Sequence, residues 1–182
     1  MKMRNEQLRK IILAGLFAAI IYIGISVFRI PIPAMVGKPF IHFGNSLAAL
    51  AVIFLGFSYG TIAGAIGLGL FDILNGYADT SYFTILEVIV IALLMTGAMK
   101  LLKNYHGQYW IVIIAATAGI GKIGTSYLVS IGEAMIKGVS FNVAIVQAFL
   151  SLPATVINSI STIVIVSLLY VPIKKLMTRF NR

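Results

Sequence analysis

Apolar residues fall into six long stretches, roughly Leu8–Val27, His42–Gly56, Tyr59–Leu74, Tyr82–Leu102, Tyr109–Ile131 and Ala144–Val171. Short polar, Gly- or Pro-bearing connections separate them. A helix needs about 20 residues to cross roughly 30 Å of hydrocarbon, and most of these stretches have that length. No stretch alternates with a period of two, so a transmembrane β-barrel is excluded. The second and third stretches are short and joined only by Phe57 and Ser58. They read as two crossings, with a single re-entrant hairpin as the other possibility. The last stretch is long for one straight span, and Pro153 is expected to mark a kink or a break. The apolar run from Ile11 to Val27 follows basic residues as a signal peptide would, but no A-x-A site ends it, so it is read as the first helix. The pattern predicts an all-α integral membrane protein with six transmembrane helices in a single domain spanning 1–182.

Composition supports that class. Hydrophobic residues make up 60% of the chain and charged residues 10%, with a mean hydropathy of +1.02, whereas soluble domains carry about a quarter of their residues charged. The chain has no cysteine, which removes disulfides, thiolate metal sites and Cys nucleophiles. With six crossings, the side shared by both termini holds Lys2, Arg4, Arg9, Lys10, Lys100, Lys103, Lys174, Lys175, Arg179 and Arg182, ten of the 14 basic residues. The opposite side holds Arg29, Lys38 and Lys137. That bias puts both termini in the cytoplasm of a multi-pass cell-membrane protein. The net charge of +9 is thus a topology signal, with attraction to anionic lipid, and calls for no nucleic acid.

Four of the five carboxylates, Asp72, Asp79, Glu87 and Glu133, lie towards the outer side of this map. They are joined there by Arg29, Lys38, His42, Asn45, Asn75, Tyr77, Tyr82, Ser126, Tyr127, Asn142 and Gln147, with Asn158 deeper in the last span. Such a set offers donors, acceptors and aromatic faces to a flat polar solute. Several of its members also read as solvated helix ends or as an interfacial aromatic belt. Glu87 and Lys122 differ because they lie inside spans, where a charge costs roughly 2.5–3.5 kcal/mol. They either pair to join the fourth and fifth helices or serve the pocket. Gly56, Gly60 and Gly64 recur every four residues and predict close helix contact, while Ala14-x-x-x-Ala18 and Gly15-x-x-x-Ala19 form a second small face that packs internally or docks a partner. No zincin, nucleophile-elbow, Walker A or dinucleotide motif is present. His42 and His106 fall on opposite sides and cannot share a metal. The expectation is a non-enzyme, with no catalytic residues, metal or cofactor in this chain.

The stretch "IHFGNSLAALAVIFLGFSYGTIAGAIGLGLFDILNGYADTSYFTILE" resembles the substrate-binding S components of energy-coupling factor (ECF) vitamin transporters. It is similar to their H-x-G-[DN] start of helix two, the glycine stripe into helix three and the acidic helix end. The resemblance implies a six-helix unit that binds a vitamin or precursor at an outer pocket. It also implies docking through helix one, at Ala14, Ala18 and Gly15, on a membrane coupling subunit with two ATPase subunits that use ATP. The loop from Arg29 to Phe40 would be a lid. Glu87, Lys122, Ser126, Asn158, Tyr82, Asn45, His42 and Asp72 are the substrate-binding candidates. The overall likeness is to pyridoxine or hydroxymethylpyrimidine members, with a riboflavin-type carrier as the alternative. A membrane enzyme using Glu87, Asp72 or His42, or a scaffold held by its glycines, are the other classes.

Overall fold

The computed structural model describes residues 2–31, 40–105 and 107–179, the first four by backbone only. Among the described residues, five helices are long and apolar enough to cross a membrane. They are α1 (Lys2–Ser26), α2 (Gly44–Leu74), α3 (Ser81–Leu101), α4 (Trp110–Ile136) and α5 (Phe141–Arg179). A two-residue antiparallel bridge between β1 (Ile30–Pro31) and β2 (Phe40–Ile41) closes the base of the α1–α2 connection. The expected flap between these strands, residues 32–39, lies outside the described residues, as does His106.

The count of five conceals a fold-back. Gly56 leaves helical geometry at φ 78° and ψ −179°, so α2 is two helical halves meeting there. A Cβ on Gly60 would lie 2.4 Å from the Cα of Val52, and one on Gly64 would lie 3.4 Å from the Ala48 Cβ. Eight and sixteen residues along a straight helix span about 12 and 24 Å. These contacts therefore require the two halves to run antiparallel about Gly56. The glycine stripe is the reason they can approach so closely: any larger residue at Gly60 would meet backbone. Positive φ at Gly56 is also a conformation that glycine adopts without strain.

Around this hairpin the helices pack largely in chain order, α1 on α2, α2 on α3, α3 on α4 and α4 on α5, with α5 returning to touch α2. On α1, Ala14, Phe17, Ala18, Ile21 and Ile25 are buried in the common core. Gly67 of α2 fits against Ile21 and the Ala18 carbonyl. Of the two small faces read on this helix, Ala14 and Ala18 are buried in the chain's own core, whereas Gly15 and Ala19 are exposed. A further correction concerns α5, which stays helical through Pro153 and Pro172. No break sets off an interfacial turn there.

Candidate solute-binding site

Some polar side chains inside the bundle are matched across helices, whereas the buried hydroxyls of Ser46 and Ser159 have no hydrogen-bond partner among the described residues. Glu87 on α3 is 7% exposed. One of its carboxylate oxygens accepts from Lys122 Nζ at 2.5 Å, and the other accepts from Ser126 Oγ at 2.9 Å. Lys122 and Ser126 stand four residues apart on α4 and so share a face. Both oxygens of Glu87 are thereby partnered, as charge in a low-dielectric medium demands. Nearer the end of α2, Asp72 accepts a hydrogen bond from Thr84 Oγ1 at 2.5 Å. Thr84 and Glu87 lie three apart on α3, so that one helix presents a donor to α2 and an acceptor to α4.

Two cavities flank Lys122 and Ser126. The first, of about 30 Å³, lies among α2, α3, α4 and α5 and is mainly apolar. Its walls include Asn45, Ala48, Val88, Met95, Lys122 and Thr162. The second, of about 180 Å³, lies between α4 and α5. Ser126, Ser130 and Glu133 line it from α4, and Ser151, Thr155 and Asn158 from α5. On each helix the three polar residues follow an i, i+4, i+7 spacing, which places them on one face.

Asn158 joins this polar recess to the loop above it. Its Nδ2 donates to the Phe40 carbonyl at 2.9 Å, and its Oδ1 lies 3.4 Å from the His42 backbone N–H. His42 lies just before α2 and is partly exposed. Its Nδ1 accepts from the Gly44 N–H at 3.1 Å. Burial, with the nearby Lys122 charge, holds its pKa down to about 3, so the ring is neutral. Arg29, at the start of the loop, places its guanidinium over the rings of Phe40 and Phe71 at 5.6 and 5.3 Å.

The sequence candidates thus separate. Glu87, Lys122, Ser126, Asn45 and Asn158 gather about the two cavities. His42 lines neither cavity and meets Asn158 only through its backbone N–H. Asp72 bonds Thr84 near the helix ends. Tyr82 is 45% exposed, with its ring against Phe83, and lines neither cavity. Glu133, expected after the fifth span, is inside α4 because that helix runs to Ile136. Sequence reasoning passed over Thr84, Ser130, Ser151 and Thr155. The facing stripes of Ser126, Ser130 and Glu133 and of Ser151, Thr155 and Asn158 were the signal that could have found them.

A helical membrane bundle with a partnered intramembrane charge pair and a polar recess between its last two helices has the build of a solute-binding transport subunit. The comparison with protein families makes this particular. A model of the ECF-type riboflavin transporter S component matches residues 5–175, and the chain belongs to that family. It is a multi-pass membrane protein and a substrate-specificity subunit of an ECF transporter, and the family is one of transporter components and not of enzymes. No curated protein matches the chain, and no solved structure matches it. The match falls on the riboflavin-type alternative and gives no support to pyridoxine or hydroxymethylpyrimidine.

Proposed function

We propose that this S component binds riboflavin or a closely related flavin at the Glu87–Lys122–Ser126 centre and passes it inward with an ATP-driven coupling module. The observation that carries the reading, beside the family, is the pairing of two unlike compartments around one helix face. A small pyridine or pyrimidine would need only one. A flavin has a flat ring of mixed polarity and a chain of hydroxyls. The hydroxyl- and amide-bearing recess of Ser126, Ser130, Ser151, Thr155 and Asn158 suits the chain, and the apolar slot beside Asn45 and Lys122 suits an edge of the ring. Together the cavities fall short of the roughly 300 Å³ at which ligand pockets begin. Binding is therefore expected to spread α4 from α5 and to engage the loop tethered by Asn158.

The test is equilibrium dialysis of purified full-length protein against riboflavin, pyridoxine and hydroxymethylpyrimidine, with quenching of flavin fluorescence as a second readout. Saturable riboflavin binding without chemical change is the expected result. Binding of either smaller solute with none of riboflavin would overturn the proposal, and a chemically altered product would point to an enzyme.

The working topology has six crossings, the α2 hairpin supplying two, with both termini and the α3–α4 loop in the cytoplasm. Since the chain lacks cysteine, single Asp79→Cys and Lys103→Cys variants read it directly in cells. An impermeant maleimide should label the first and spare the second, and the reverse pattern would invert the map. Assembly with the coupling subunit falls to the outer face of α1, where Gly15 is exposed beside Leu16 and Ile12. Gly15→Trp should reduce uptake and leave solute affinity of the isolated subunit near normal. Loss of solute binding as well would assign Gly15 to internal packing.

A further inference from the structure

At the opposite end of the bundle from Asp72 and Glu133, a recess of about 460 Å³ opens between the end of α3, the start of α4 and the end of α5. Lys103 and Lys174 stand in its wall with Tyr105, Gln108, Trp110 and Tyr170. Nothing in solute capture uses it. Lys174 holds its ammonium 5.5 Å from the centre of the Tyr170 ring, and Trp110 and Tyr170 are themselves in contact at 6.0 Å between centroids. Phe54 of α2 stacks on the other side of Tyr170 at 5.6 Å, so the aromatic floor is anchored in the core.

The charge here is one-sided. Among the described residues the one ion pair is Lys122–Glu87, so neither Lys103 nor Lys174 has a carboxylate partner. No acidic residue occupies the first turn of α4, and its N-cap residue Tyr109 gives no side-chain hydrogen bond to the helix end. Two exposed lysines and a helix start without a side-chain cap therefore border a recess large enough for a small anion. Trp and Tyr side chains mark the level where hydrocarbon gives way to headgroups. An anion at that level is most simply a phosphate that the membrane itself presents.

We propose that this recess is a phosphate-binding site that holds the headgroup of an anionic phospholipid, with Lys103 and Lys174 as the charged contacts and the Trp110–Tyr170 pair as its floor. Bound there, a lipid would tie the ends of α3, α4 and α5 together at the surface from which the S component must tilt or dock.

The experiment is native mass spectrometry of the full chain released from bilayers of phosphatidylcholine with phosphatidylglycerol. It compares the wild type, Lys103→Gln/Lys174→Gln and the charge-matched control Lys100→Gln/Lys175→Gln. Size-exclusion profiles confirm that each is folded. Retained phosphatidylglycerol should fall roughly tenfold or more in the recess variant, on the scale of losing two basic contacts near an anionic surface, and distinctly less in the control, which keeps the recess contacts. Lys103→Arg/Lys174→Arg should retain it. Equal losses in recess variant and control would overturn the site in favour of diffuse attraction. A separate arm adds millimolar inorganic phosphate. If phosphate displaces the lipid from the wild type only, the phosphate site stands and a soluble phosphate becomes its occupant. Retention of phosphatidylcholine and phosphatidylglycerol alike would overturn the proposal.

Discussion

The α2 hairpin and the α4–α5 pair are both antiparallel helical pairs, yet they are built on opposite principles. In α2, half of the most apolar window is buried, against 17% in α5. Its two halves meet through Gly60, where a Cβ would press on the Val52 backbone, and through Gly64 beside Ala48. Between α4 and α5 the facing residues are hydroxyls, an amide and a carboxylate, and a cavity remains between them. Without water, two helices can either exclude space with small residues or leave space and line it with hydrogen-bonding groups. The first gives a rigid spine, and the second gives a place for a polar solute to replace missing partners. On the proposed reading, the tight α1–α2 pairing is scaffold and the solute sits between α4 and α5, with α2 and α3 walling the adjoining slot.

The largest effect expected is on the spine. A methyl group at Gly60 would lie 2.4 Å from Val52 Cα and 2.6 Å from its nitrogen, both backbone atoms that cannot rotate away. Gly60→Ala should cost about 2 kcal/mol or more and lower the thermal midpoint in detergent. Gly97→Ala, whose added carbon would have no neighbour within 4 Å, should change little. Equal midpoints for the two variants would remove the steric block assigned to Gly60.

The next effect separates structure from binding within the open pair. Glu87→Gln leaves Lys122 charged and largely buried, an arrangement that costs about 3–5 kcal/mol when one partner of an ion pair is removed. Replacing both, as Glu87→Gln/Lys122→Met, should recover much of the thermal stability. Riboflavin affinity, followed by calorimetric titration, should stay depressed in that double variant. Recovery of affinity along with stability would make the pair a helix clamp and nothing more.

Much of this was legible in the sequence because each signal has a local physical cause. Apolar runs marked the helices, and the four-residue glycine spacing marked the close pair. The cost of intramembrane charge singled out Glu87 and Lys122 before their contact was known. What escaped depended on rotation about helix axes. Small-x-x-x-small spacing says that a face can pack closely without saying against what, so it left internal packing and docking both open for Ala14 and Ala18, which the structure buries in the chain's own core. Pro153 has the chemistry of a helix breaker, but α5 continues through it, since transmembrane helices tolerate proline where other groups satisfy the freed carbonyl. The hydroxyl stripes were present in the sequence, but Ser and Thr in membrane helices commonly bond their own backbone, as Ser161 does with Ile157. Only the facing of two stripes makes a recess.

The smallest expected effect concerns how the open pair is closed. Asn158 holds the loop base from within the recess, through Phe40 O and the His42 N–H. A solute competing for its amide, or ordering it, would alter the hold on the loop. Asn158→Leu keeps the side-chain volume and removes both hydrogen bonds, each worth on the order of 1 kcal/mol. Dissociation of riboflavin, followed by fluorescence recovery after dilution, should accelerate by roughly tenfold or less. Association should change much less, because the recess itself remains. If Asn158 only contacts solute, a loop cysteine at Val36→Cys should react with thiol reagent equally in the Asn158 and Asn158→Leu backgrounds without riboflavin. If it tethers the loop, labelling in the empty protein should rise on substitution. Unchanged labelling together with unchanged dissociation would remove Asn158 from loop control and leave the recess without a link to its cover.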